Sequence, residues 1–192
     1  MDRVKCLEEA AREYLKIRFE ESEKLIREEY LIHESEIYQN LTDVISGGLM
    51  RCMQITKKVK YVVVSTLESS NITQSYELQI AFFNEKMYAD DTPVYTYWKP
   101  MYIFSKVEED ICFAKEKMSE KIIRIKDYEM APIKKEYLLN HYFLALLFLR
   151  QLLPDVLERS EELYSCLEPE ATVLWGRYME KNILVYQMGE KK

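Results

Sequence analysis

Tyr137-Leu138-Leu139-Asn140-His141-Tyr142-Phe143-Leu144-Ala145-Leu146-Leu147-Phe148-Leu149-Arg150-Gln151-Leu152-Leu153 is the most apolar stretch of the chain. Leu, Ala and Phe dominate it, and no β-branched residue interrupts it. Such side chains lose little rotamer freedom in a helix, so the stretch is predicted to be helical. Pro132 lies just before it and Pro154 just after, where helices start and stop. From Tyr142 to Leu149 no charged or amide side chain appears on any side, which predicts a helix buried all round. The rest of the fold is expected to pack on this helix. Asn140, His141, Arg150 and Gln151 interrupt the run, whereas a membrane span needs about 20 mostly apolar residues.

Working outward, residues from about Asp2 to Asn40 carry two helical stripes. Val4, Leu7, Ala11 and Tyr14 form one, and Ile26, Tyr30, His33, Ile37 and Leu41 the other, each on a 3.6-residue period. Glu20-Glu21-Ser22-Glu23-Lys24 between them is polar on every side, so a break near Ser22 or a turn projecting into water is expected there. Thr42 and Asp43 can cap a further helix that ends at Gly47-Gly48 or continues to about Ile55. Val59 to Leu67 is rich in β-branched residues. Tyr76, Leu78, Ile80 and Phe82 alternate with Glu77, Gln79, Ala81 and Phe83, the period of a half-buried strand. Short connections predict antiparallel pairing. Val94 to Trp98 and Met101 to Phe104 read as an edge strand interrupted at Pro100. Ile111, Ala114, Met118, Ile122 and Ile125 return to helical spacing. A shorter helix with Val156, Leu157, Leu163, Tyr164 and Leu167 is expected after Pro154, then a β-hairpin turning at Glu180-Lys181-Asn182.

The fold class expected is α+β in one domain, 1–192. Its parts are a helical segment over 1–40, a small antiparallel sheet over 58–104, helices over 105–167 and a hairpin over 172–187. The chain has 192 residues, is 48% hydrophobic and carries a net charge of -6, the balance of a soluble globular protein. That charge disfavours phosphate backbones and anionic membranes as partners. Cys6, Cys52, Cys112 and Cys166 are scattered without a C-x-x-C pair, which is the pattern of reduced thiols in the cytoplasm. The four glycines make no phosphate-binding pattern, and no cofactor is implied.

Four residues are candidates for chemistry. Glu77 on its strand, with Asp90 and Asp91 in a turn beyond, is the one carboxylate set that can be assembled to hold a hard cation for a phosphodiester-type, metal-dependent hydrolase. His141 is either a neutral core histidine satisfied by one hydrogen bond or a general base at a pocket floor. His33 has no second histidine at ligand spacing and reads as a core or interface residue. Tyr95, Tyr97, Trp98, Tyr102 and Phe104 crowd one short stretch, and such side chains favour protein contact surfaces. The leading expectation is a protein-interaction or adaptor domain without catalysis, self-associating through its N-terminal helix. The metal-dependent hydrolase is the alternative.

Overall fold

The computed structural model of the chain describes residues 3–158 and 165–189. Its elements run α1 (Arg3–Gln54), β1 (Val59–Thr66), α2 (Glu68–Ile72), β2 (Leu78–Phe83), β3 (Val94–Trp98), α3 (Met101–Phe104), α4 (Val107–Ser119), α5 (Asp127–Glu158), β4 (Leu167–Arg177) and β5 (Asn182–Gln187). The α+β class follows the sequence expectation. Two compact units divide the chain, each assembled from two stretches: Met1–Glu34 with Met101–Ala145, and Ser35–Pro100 with Leu146–Lys192.

The first unit is helical. Leu7, Ala11, Leu15, Ile26 and Tyr30 of α1 are buried, as are Val107, Ile111, Ala114 and Met118 of α4 and Met130, Ile133, Tyr137 and Leu138 of α5. The predicted stripe of α4 stops at Met118, because the helix ends at Ser119 and Ile122 and Ile125 fall in the turn before α5. The break expected near Ser22 is absent. Ser22 is buried and hydrogen-bonded, so the polar turn is tied into the unit. The non-helical residue of α1 is His33, at φ -111° and ψ 18°. His33 is exposed, so its reading as a core residue is corrected.

α5 also departs from expectation. It runs through both Pro132 and Pro154, which were read as its bounds. Each proline removes one helical N–H, yet Ile133 beside the first and Leu153, Val156 and Leu157 around the second are anchored in a core. Nor is the helix buried all round. Leu139, Phe143 and Leu147 lie on its exposed side, because only part of its circumference meets each core. Leu163 and Tyr164 of the further helix expected after Pro154 lie outside the described residues. Leu167 belongs to β4.

The second unit is a five-stranded sheet of order β3-β2-β1-β4-β5. β1–β2, β2–β3 and β4–β5 are antiparallel, so the alternating strand and the C-terminal hairpin are both present. β1–β4 is parallel and joins segments far apart in sequence, a pairing with no local sequence signal. One face carries Val62, Val64, Ile80, Phe82, Val173 and Trp175, all buried. The later part of α1 crosses this face. A Cβ added to Gly48 would sit 2.1 Å from the Phe82 ring, so the glycine lets helix and sheet approach closely. Gly47-Gly48 therefore does not stop the helix, which continues to Gln54. β3 is an edge strand as predicted, but Met101–Phe104 is a helical turn, since the chain leaves the sheet at Pro100.

The opposite, open face carries Tyr61, Val63 and Ser65 of β1, Gln79, Ala81 and Phe83 of β2, and Tyr95 and Tyr97 of β3, by the same register. Tyr88, from the 3-10 turn Met87–Ala89, packs edge-on against Phe83 at 5.4 Å and helps to cover the middle of this face.

Candidate functional site

A polar cluster lies inside the first unit. Asp110, in the first turn of α4, is completely buried. Its carboxylate accepts hydrogen bonds from Arg18 Nε at 2.8 Å, Ser22 Oγ at 2.9 Å and Tyr137 Oη at 2.6 Å. A buried charge needs such a set of donors. Burial, then the Asp110 carboxylate, drives the Tyr137 phenol far above its usual range. One turn along α5, His141 is boxed by Phe19, Phe104 and Tyr137 at ring distances of 5.3, 6.1 and 4.8 Å. Its Nδ1 is 3.3 Å from the Tyr137 carbonyl and Nε2 is buried without a partner. Desolvation pulls its pKa down to about 4, only partly opposed by that carbonyl and by Asp110. His141 is thus a neutral imidazole wholly enclosed at pH 7, a poor position for a general base.

Tyr137 and Phe19 also line a groove of about 430 Å³ between α1 and α5. Ala11, Leu15 and Ile133 complete an apolar floor. Glu8, Glu20, Glu23 and Glu136 stand against Arg12 and Lys16 around it. The sequence reading missed this groove. Phe19 and Leu15 belong to neither of the stripes identified there.

In the second unit the carboxylates read as a cation set stay apart. Asp90 is buried, and burial pushes its carboxyl up. The Lys57 ammonium and the N–H groups of Thr92 and Asn84 outweigh that and hold it below the usual range. One oxygen accepts from Thr92 N at 3.0 Å and Asn84 Nδ2 at 3.1 Å, the other from Lys57 and from Asn84 N at 2.9 Å. Asp91 is exposed, with Lys86 3.5 Å away. Glu77 precedes β2, whereas Asn84, which donates its N–H to Asp90, follows it, so the strand separates Glu77 from Asn84 by about 24 Å at 3.4 Å per residue. Among the described residues no group of three or more His, Cys, Asp or Glu side chains suits a metal ion.

The aromatic run also divides. Trp98 is buried on the helix-covered face of the sheet, and Tyr102 belongs to α3 in the first unit, its phenol raised by burial. Tyr95 and Tyr97 remain together on the open face. With Tyr178, which follows β4, they wall a hollow that Gln79, Thr66, Leu67 and Glu68 complete. Burial, then a hydrogen bond to Tyr178, holds the Tyr95 phenol above its usual range. Tyr178 escaped the sequence reading because it reaches the site from a turn far along the chain.

Among the described residues no helix is long and apolar enough to cross a membrane. No family model, curated protein or solved structure matches the chain.

Proposed function

We propose that this protein is a non-catalytic interaction module whose first unit receives an amphipathic helix bearing basic residues. The groove between α1 and α5 carries the reading. Its apolar floor of Ala11, Leu15, Phe19, Ile133 and Tyr137 suits side chains spaced by three and four along a helix. Of the four glutamates on its walls, Glu23 pairs with Arg27 and Glu136 lies 3.9 Å from Arg12, and the acidic balance left by Glu8 and Glu20 beside Lys16 favours lysine and arginine along that stripe. The fixed Asp110 cluster beneath Tyr137 supports a floor that is formed before the partner arrives.

Self-association is a second reading, on a changed basis. Leu7, Ala11, Ile26, Tyr30 and Ile37, whose stripes suggested a dimer, are buried within the chain. Leu31 and Ile32 of α1 are instead 72% and 74% exposed, and a second copy would cover them.

A synthetic leucine–lysine amphipathic helix, followed by fluorescence anisotropy, tests the first reading. Binding in the micromolar range is expected, weakened about tenfold or more by Glu20→Lys with Glu136→Lys and by raised salt. No saturable binding, or binding indifferent to both changes, rejects the groove. Light scattering of the unliganded protein, against Ile32→Glu, reads the second.

A further inference from the structure

We propose that the tyrosine-walled hollow on the open face of the sheet binds a quaternary ammonium group. It uses none of the groove residues, so either site stands or falls without the other. Tyr95 and Tyr97 of the edge strand and Tyr178 from the turn after β4 line this one hollow. Each ring is held from within the protein. A closed circuit fixes two of them. Tyr95 meets Phe83 edge-on at 6.3 Å, Phe83 meets Tyr88 at 5.4 Å, Tyr88 meets Tyr178 at 6.0 Å, and Tyr178 is hydrogen-bonded to Tyr95. Asn182 Nδ2 donates to the Tyr88 hydroxyl at 3.0 Å, and Gln79 Nε2 to the Tyr97 hydroxyl at 3.4 Å. Walls fixed before a ligand arrives need little ordering when it does.

The charge of the lining has one sign. Glu68, in the first turn of α2, supplies a carboxylate, and among the described residues no Lys, Arg or His joins it there. Aromatic ring faces attract cations through their quadrupole, and several rings together form the cage that quaternary ammonium groups occupy. A phosphate or carboxylate finds no counter-charge in such a lining.

The kind of cation follows from the hydrogen bonds. The amide N–H of Gln79 is committed to Tyr97, Tyr95 and Tyr178 are bonded to each other, and Gln79 Oε1 is buried beyond the reach of an occupant. An ammonium or a guanidinium gives up several bonds to water on entry and recovers few from these groups. A quaternary ammonium has no N–H to satisfy. Its methyl groups suit the rings and Leu67, and its charge suits the ring faces and Glu68. Tyr97 is 52% and Tyr178 42% exposed, so both are within reach from solvent. The hollow, about 540 Å³, admits such a group together with the chain that carries it.

Free choline and a trimethylated lysine side chain both carry this group, and two arms of one experiment separate them. The full chain is titrated by NMR and by calorimetry with choline and with an end-capped Gly-Lys-Gly peptide trimethylated at its lysine. Neohexyl alcohol, the uncharged isostere of choline, and the unmethylated peptide are the controls. Saturable binding of at least one methylated probe below about 10 mM is expected, with its control about tenfold weaker or more. The tighter probe identifies the carrier. Tyr97→Ala and Tyr178→Leu, both at exposed positions, should each weaken binding several-fold without disturbing the fold seen by circular dichroism. Tyr97→Phe keeps the ring and should retain binding. Glu68→Gln should weaken it several-fold and reduce its dependence on salt. No saturable binding by either methylated probe overturns the site. So do controls that bind as well as the methylated probes, or an affinity unmoved by both Tyr97→Ala and Tyr178→Leu.

Discussion

His141 shows how much one enclosed side chain can set. Its folded pKa lies near 4, while a histidine in an unfolded chain titrates near 6.5. Between those values the unfolded state binds the extra proton, so this contribution to stability is intact above pH 6.5 and drains away as pH falls towards 4. The full loss amounts to about 3 kcal/mol by linkage. Urea denaturation at pH 7 and pH 4.5 is expected to show a larger loss in the parent chain than in His141→Phe. Equal losses would place the acid sensitivity elsewhere. The sequence announced a histidine among apolar residues but not its box, because Phe19 and Phe104 reach it from distant segments. Asp110 was less legible still. As the third acid of a helix start it looked ordinary, and Ser22, its partner, stood in a turn that looked solvated. Tyr95 and Tyr97 were legible from aromatic density alone. The row that Tyr97 shares with Gln79 and Ser65 emerges only from cross-strand register.

Among the elements, those with a local period were read well. β2 alternates, α4 carries a stripe, and the C-terminal hairpin has a polar turn. Boundaries set by packing were less legible, and at Gly47-Gly48 the sequence left two ends open, of which the later, near Ile55, is the one found. A glycine pair suggests a helix end from backbone freedom alone, yet α1 passes through because Phe82 needs the space above Gly48. The two glycines should therefore respond in opposite ways. Gly47 has nothing within 4 Å of an added Cβ, so Gly47→Ala should stabilise by up to about 1 kcal/mol through helix propensity. Gly48→Ala drives a methyl into a fully buried ring and should cost about 1–3 kcal/mol despite the same propensity gain. Thermal melts of both variants decide the matter. A shift of the same sign in both would mean that helix and sheet do not meet closely there.

At the scale of the whole molecule, both units are discontinuous, and the chain passes between them after Glu34, Pro100 and Ala145. Neither unit is a contiguous segment that can be excised. A chain ended at Glu158 keeps β1, β2 and β3 but loses β4, leaving Val62, Val63 and Val64 beside an unpaired edge. Such a truncation is expected to lose its cooperative melt and to aggregate, and a sharp transition like that of the full chain would refute this. The same parallel pairing has a meaning for the nascent protein. Val59 must wait for Leu167, about 110 residues later, and at about 5–20 residues per second that wait is roughly 5–20 s on the ribosome. Throughout it, the side of the valine strand that β4 will cover has no partner from its own chain, which makes this segment the one most exposed to wrong pairing during synthesis.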